Sequence, residues 1–162
     1  MSSIIVIAHN IRSTHNVGAI FRSSEGFGVT KIILSGYTPY PRLEHDARLP
    51  HLAEKLAKQI HKTALGAELT VPCEHQDMPD FVKLRQDGYI IVGLEQDTRS
   101  IPLHTYKPAD KIALLLGEEV EGIEQSLRDE CAELLEIPML GQKESFNVSV
   151  AAGVALYALT TH

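Results

Sequence analysis

The sequence predicts an α/β fold built on a parallel sheet with helices on both faces. Two observations predict it. Short runs rich in Ile, Leu and Val alternate with runs of helical periodicity along the whole chain, and near-continuous apolar strands set between helices belong to a sheet buried on both faces. The 162 residues, 44% hydrophobic and 22% charged, suit one domain and leave no length for two cores.

The first strand is expected over Ser3–Ala8, an apolar run too short, and without the basic start, for a secretory signal. A helix over roughly His15–Phe27 follows, then a strand over Lys31–Ser35. Turn residues punctuate Gly36–Pro50, an expected exposed loop. Next come a helix over His51–Thr63, a strand over Glu68–Pro72, a helix over Pro79–Gln86 and a strand over Tyr89–Gly93. Thr98–Ala109 reads as a second exposed loop, before a strand over Lys111–Leu116, a helix over Ile123–Cys131 and a strand over Glu133–Ile137. The last helix spans Ser145–Thr161, where Val148, Ala152, Ala155, Leu156 and Leu159 form one apolar stripe at helical spacing.

Several function classes are missing their signatures. No apolar run approaches the ~20 residues of a membrane span. There is no GxGxxG after a strand, no GxxxxGK[ST] and no GxSxG. The histidines form neither HxxxH nor HExxH, so no metal is expected. Cys73 and Cys131 form no CxxC and read as reduced thiols of a cytoplasmic protein.

The net charge of −6 hides an asymmetry. Residues 1–62 carry eight Lys or Arg against four acids, a balance of +4, and the remainder sums to −10. A basic half on an acidic body can present one face to a polyanion, or the asymmetry can be chance on solvated helix faces. The first reading assigns polyanion contacts to Arg12, Arg42, Arg48, Lys55 and Lys58, which become RNA contacts if the polyanion is RNA.

Three segments remain for chemistry. Asn16-Val17-Gly18-Ala19-Ile20-Phe21-Arg22 opens the first helix, and periodicity alone favours a surface salt bridge for Arg22 over a phosphate contact. Gly117-Glu118-Glu119-Val120-Glu121-Gly122 follows a strand, where acids ahead of a helix suit its dipole. Ile137-Pro138-Met139-Leu140-Gly141 runs on to Ser145-Phe146-Asn147-Val148-Ser149, in which Ser145 can cap the last helix. Ala151, Ala152, Gly153 and Ala155 make a small-residue face, suited to a dimer contact or to ordinary core. In open α/β sheets ligands bind beyond the carboxyl ends of strands. Strands here run into Gly93-Leu94-Glu95, Gly117-Glu118 and Pro138-Met139, which suggests either a pocket lined by main chain or plain turn glycines.

Taken in order, the three segments resemble the motif set of the SpoU/TrmH-type RNA 2′-O-ribose methyltransferases of the SPOUT superfamily. The pattern N-x-G-x-x-x-R falls on Asn16, Gly18 and Arg22, and G-x-E-x-x-G on Gly117, Glu119 and Gly122. The I-P-M-x-(G)…S-(L/F)-N-V-S-x-A pattern falls on Ile137, Pro138, Met139, Gly141, Ser145, Asn147, Val148 and Ser149. The resemblance covers essentially the whole chain. Phe146 stands where Leu or Met is usual, and Glu118 where Asn or Pro often stands.

The resemblance implies a SPOUT-type sheet flanked by helices with a C-terminal trefoil knot. It implies a single methyltransferase domain over residues 1–162, without an RNA-binding extension. S-adenosylmethionine would be the methyl donor, held at Leu94, Gly117, Ile137, Met139, Leu140 and Ser145. Arg22 would act at the reacting ribose, with Asn16, Glu119 and Asn147 orienting it and the substrate. A ribose 2′-OH must lose its proton as it attacks, but a guanidinium with a pKa above ~12 is a poor base, so Arg22 is expected to act through its charge. The resemblance also implies a homodimer completing the site across its interface, and an RNA substrate, with tRNA favoured over rRNA.

Overall fold

The computed structural model describes residues 2–161; Met1 and His162 lie outside them. Seven parallel strands form one sheet in the order β3-β2-β1-β6-β4-β7-β5. They are β1 (Ser3–His9), β2 (Lys31–Ser35), β3 (Cys73–Gln76), β4 (Ile90–Leu94), β5 (Ile101–Pro102), β6 (Lys111–Leu116) and β7 (Glu133–Glu136). The helices are α1 (Thr14–Gly26), α2 (Pro50–Ala64), α3 (Ala67–Thr70), α4 (Phe81–Gln86), α5 (Gln125–Arg128) and α6 (Val148–Thr160).

The strand pleat divides the core into two layers. Ile4, Val6 and Ala8 of β1 face one way, into a cluster with Val17, Ile20 and Phe21 of α1, Ile60 of α2, and Ala152 and Leu156 of α6. Ile5 and Ile7 face the other way, against Phe81 and Leu84 of α4 and Leu127 of α5. Central β1 pairs with β2 in the register Ile5↔Lys31 and with β6 in the register Ser3↔Lys111. The carboxyl ends of the central strands are thereby brought level.

Most expected elements are present, and the differences have local causes. The run Glu68–Pro72 is not a strand. Leu65 and Gly66 adopt left-handed backbone at the end of α2, and α3 winds the next residues into one helical turn. Ala67 and Val71 use that turn to reach the core. The strand that follows, Cys73-Glu74-His75-Gln76, is a half-buried edge strand with no apolar run to announce it. The loop expected over Thr98–Ala109 contains the two-residue β5, whose Pro102 is tolerated because the strand lies at the sheet edge. Helix α6 starts at Val148 rather than Ser145, because Asn147 is its N-cap.

The small-residue face of α6 is core within one chain. Ala152 and Ala155 are fully buried, and α6 lies against α1 closely enough that a Cβ on Gly153 would stand 3.6 Å from Ser23 Oγ. The alternative of a dimer contact through Ala152 and Ala155 is therefore excluded. The side of α6 left exposed carries Val150, Val154 and Tyr157.

Gly18 explains how α1 and α2 approach. A Cβ there would collide with Thr63 Oγ1 and the Ile60 carbonyl, and would stand 2.9 Å from Ala64 N. Thr63 Oγ1 closes the crossing by donating to the His15 carbonyl at 2.8 Å. Gly18→Ala should therefore cost about 1–3 kcal/mol despite the better helix propensity of alanine. An unchanged urea midpoint would show that the helices can part freely.

Both cysteines are free thiols, and burial raises their pKa, to about 11 at Cys73 and about 12 at Cys131. An ordinary cysteine ionises near ~8.5, so at pH 8 the native chain should react with iodoacetamide at least ~100-fold more slowly than the unfolded chain. Equal rates in the two states would contradict that burial.

Candidate active site

Three loops leave the carboxyl ends of β4, β6 and β7 and enclose a cavity of about 300 Å³. The first begins at Leu94-Glu95, the second is Gly117–Gly122, and the third runs from Ile137 to Val148. This is where an open α/β sheet places its ligands.

Glu95 ties the first loop to the second. Its Oε2 accepts from Ile123 N at 2.7 Å and its Oε1 from Gln96 N at 2.9 Å. Gly122 has φ +72°, and a Cβ there would collide with the Glu95 carboxylate. A Cβ on Gly117 would stand 2.7 Å from the Gly122 carbonyl carbon and from Ile123 N. The turn closes on itself as Gly122 N donates to the Glu118 carbonyl at 2.9 Å. The glycines of G-x-E-x-x-G are thus required by close backbone approach, and at Gly122 by a positive φ as well.

Beyond Glu95 the first loop crosses the end of β7, where Glu95 N donates to the Leu135 carbonyl at 2.9 Å. Asp97 braces the crossing. The Arg99 amide first, then the Arg99 side chain, with Arg128 also bonded, hold its carboxyl at about 2.

Three motif residues far apart in sequence meet beside the cavity. Asn147 Nδ2 donates to Asn16 Oδ1 at 3.2 Å, and Asn16 Nδ2 donates to Glu119 Oε1 at 3.0 Å. Asn147 Oδ1 is occupied in capping α6, accepting from Ser149 N at 2.9 Å. Asn16 is presented by the first turn of α1, whose cap Ser13 accepts from Asn16 N at 3.2 Å. Each asparagine therefore has a fixed amide orientation.

The cavity wall is acidic. Glu95, Glu118, Glu119, Glu121, Glu136 and Glu144 line it, with no Lys or Arg. Such a wall favours a cationic ligand and opposes phosphate, which disfavours ATP or NAD as occupants.

The expected site residues are placed unevenly. Leu94, Gly117, Ile137 and Ser145 line the cavity, but Met139 and Leu140 do not, and Leu140 is 97% exposed. Arg22 does not join Asn16, Glu119 and Asn147 within the chain. It lies on a shallow groove with Ser23, Lys62 and Thr63. Six helical residues past Asn16 amount to about 9 Å and about 240° of rotation, enough to turn it away. Arg22 is exposed and in no salt bridge among the described residues, so the surface pair that periodicity favoured is not formed.

Of the expected RNA contacts, Arg48 is spent on structure. It binds Asp46 through Nε at 2.9 Å and donates to the carbonyls of Tyr40 and Pro41, both at 2.9 Å. That pairing holds the Asp46 carboxyl far below the usual carboxylate range. Lys58 pairs loosely with Glu54 at 3.7 Å. Arg12, Arg42 and Lys55 are exposed. Sequence reasoning missed Glu95 as the anchor of the site; an acid directly after a strand was its only signal.

Residues 3–157 match the SpoU rRNA Methylase family. The chain belongs to that family. It is 32% identical over 155 residues to the 23S rRNA (guanosine-2′-O-)-methyltransferase RlmB of Pectobacterium atrosepticum, an alignment covering 94% of this chain and 57% of that protein. The chain thus spans little more than half the length of that relative. Among solved structures, the AdoMet-bound rRNA methyltransferase from Sinorhizobium meliloti has a TM-score of 0.79 at 22% identity, over 97% of this chain and 55% of that one. The A. aeolicus TrmH/SpoU tRNA modifying enzyme has a TM-score of 0.80 at 23% identity, over 99% and 75%. These likenesses show that the SpoU-family chain shares their fold.

In this SpoU-family chain the Glu95 carboxylate is shared by two backbone N–H groups. Glu95→Ala removes both acceptors and should break both bonds. Amide exchange at Ile123 should then accelerate at least about tenfold, an opening cost of ~1.4 kcal/mol. Protection at Ile123 equal to the native level would show that the loops are held by something else.

Proposed function

We propose that the protein is an S-adenosylmethionine-dependent methyltransferase acting on ribose 2′-OH groups of RNA, and that its substrate is ribosomal RNA. The observation that carries the reading is the acid-walled cavity with the Asn147–Asn16–Glu119 chain beside it, in a member of the SpoU family. The family resemblance alone favoured tRNA. Ribosomal RNA has the better support, because the curated relatives at about this level of identity are named for 23S rRNA.

The residues present fit the donor. Its sulfonium is cationic, and six glutamates surround the space with no opposing base. Leu94, Gly117 and Ile137 offer backbone at the strand ends, and Ser145 offers a hydroxyl. The donor supplies an activated methyl group on sulfur. What the chain must supply is position and charge at the attacking oxygen.

Glu119 keeps its Oε2 free of any hydrogen bond among the described residues, while Oε1 is fixed by Asn16. A ribose hydroxyl donating to Oε2 would be aimed, and its oxygen made more nucleophilic. Asn147 reaches Glu119 through Asn16 and acts as a positioning residue. In this reading Arg22 works in trans. Within its own chain it is turned away from the cavity, so it serves the cavity of the partner in a homodimer, stabilising the forming alkoxide and holding phosphate. The exposed side of α6, with Val150, Val154 and Tyr157, is the apolar surface available for that contact.

The trefoil knot belongs to the same proposal. The connection from β4 to β5 spans the end of β7, because β7 lies between those strands. In this proposal the chain leaving β7 passes beneath that connection to reach α6.

Purified protein given S-adenosylmethionine with labelled methyl should label ribosomal RNA from cells lacking the gene, and the label should map to a 2′-O position. Label on tRNA alone would restore tRNA as the substrate. No label on either RNA, with both bound, would favour a non-catalytic RNA-binding factor.

Arg22→Ala should lower transfer at least ~100-fold, the cost of removing a charge-stabilising group, with S-adenosylhomocysteine affinity kept. Mixing Arg22→Ala with Glu119→Ala chains should restore about a quarter of wild-type activity, because random pairing rebuilds one site in half of the dimers. A mixture as inactive as its parents would place Arg22 in the cavity of its own chain.

A further inference from the structure

We propose that the groove beside the start of α1 binds one nucleotide of the RNA next to the reacting ribose, with its base stacked on Tyr37 and its phosphate against Arg12. This rests on the RNA-methylation reading and adds a second contact site to it.

The groove, about 550 Å³, lies at the carboxyl ends of β1 and β2 and contains Arg12, Tyr37, Tyr40 and Gln59. Its charge differs from that of the cofactor cavity: no carboxylate lines it, and with Arg48 neutralised by Asp46 its free positive charge is Arg12. A cationic donor and a polyanionic substrate are thus sorted to different openings of one molecule. The two openings are close along the chain. Arg12 lines the groove, and Asn16, four residues on, bonds Glu119 beside the cavity. Four residues reach at most ~14 Å, so neighbouring nucleotides of one strand can occupy both.

The aromatic ring is held out deliberately. Tyr37 is 51% exposed, yet its turn is held by side-chain hydrogen bonds on both sides of it. Tyr37 N donates to Asn10 Oδ1 at 3.1 Å, and Asn10 itself has φ +54°, in the left-handed region. A Cβ on Gly36 would collide with that same Asn10 oxygen. Buried Thr38 donates to the Ala8 carbonyl and accepts from Ile11 N, both at 2.9 Å. A rigid turn that projects an exposed ring is a preorganised stacking platform, since little entropy is lost when a base settles on it.

Of the two tyrosines, only Tyr37 is available. Tyr40 is already stacked on His75, with centroids 4.2 Å apart, and Arg48 lies 3.5 Å from its ring centre. Arg48 is saturated by Asp46 and two carbonyls. Arg12, by contrast, is in no salt bridge among the described residues and stands 5.7 Å from the centre of the Tyr37 ring. The Gln59 amide makes no side-chain hydrogen bond among the described residues and faces the same space, where it can meet a base edge.

The chain has no tryptophan, so Tyr37→Trp creates a single reporter. Titrating that full-length variant with the single-stranded oligonucleotide hexaadenylate should quench its emission as the oligonucleotide binds. Adding Arg12→Ala should lower the log–log salt slope by about 0.7, one phosphate contact on a single strand. Anisotropy with labelled hexaadenylate should show Tyr37→Ala binding about 5- to 150-fold more weakly, the range for one lost base stack, and Tyr37→Phe near wild type. Thermal midpoints of the variants separate this loss from misfolding. Emission unmoved at saturating oligonucleotide, or no binding at millimolar concentration, would overturn the groove assignment. Methyl transfer by the same proteins distinguishes the two proposals. Wild-type transfer to ribosomal RNA with an unchanged KM in Tyr37→Ala sinks only the groove, whereas quenching without any transfer by wild type sinks only the methylation reading.

Discussion

The carboxylate of Glu95 bonds two backbone amides, Gln96 at its own loop and Ile123 beyond the Gly117–Gly122 turn. That double acceptance sets the distance between the loops after β4 and β6, and so the width of the cavity. It also dictates glycine at position 122, where a side chain would occupy the space of the carboxylate and the backbone has φ +72°. The same loop carries Asp97, whose bonds to Arg99 and Arg128 fix the crossing over β7. Remove the carboxylate at Glu95 and the walls lose their common anchor, while the sheet beneath keeps its own hydrogen bonds.

Charge divides the two openings of the molecule. Glutamates wall the cavity at β4, β6 and β7, while arginines line the groove at β1 and β2. An overall charge of −6 therefore says little about an RNA partner, because long-range repulsion coexists with a local basic surface. The arrangement suits the proposed transfer of a methyl group from a cationic donor to an anionic polymer. In the proposed reaction each ligand would meet a favourable field at its own entrance.

Packing by small residues sets the frame on which these surfaces sit. Gly18 lets α2 approach α1, and α6, with Ala152 and Ala155 buried in the same layer, meets α1 where Gly153 lies beside Ser23. Helix α1 is thereby fixed on the sheet, and with it Asn16 at its start and Arg22 further along. Because those two side chains leave the helix in different directions, a helix that is well fixed cannot bring both to one cavity. This is the physical ground for reading Arg22 as a residue that acts on a partner chain.

How much of this was legible in the sequence follows from the range of the forces involved. The alternation of apolar strands with helices was readable, because burial on both faces of a sheet leaves a local signature at β1, β2, β4 and β6. So were the three motif segments, whose residue order needs no coordinates. β3 was not readable, since an edge strand built from Cys, Glu, His and Gln has no apolar run to signal it. Nor was the fate of individual charges. Arg48 resembled any other basic residue of its half until the fold closed Asp46 and two carbonyls around it. The sequence determined the sheet, its helices and the residues brought to its carboxyl edge. Only the tertiary structure decided which of them meet, because contacts such as Asn16 with Glu119, 103 residues apart, depend on the register of whole strands rather than on any neighbour in the chain.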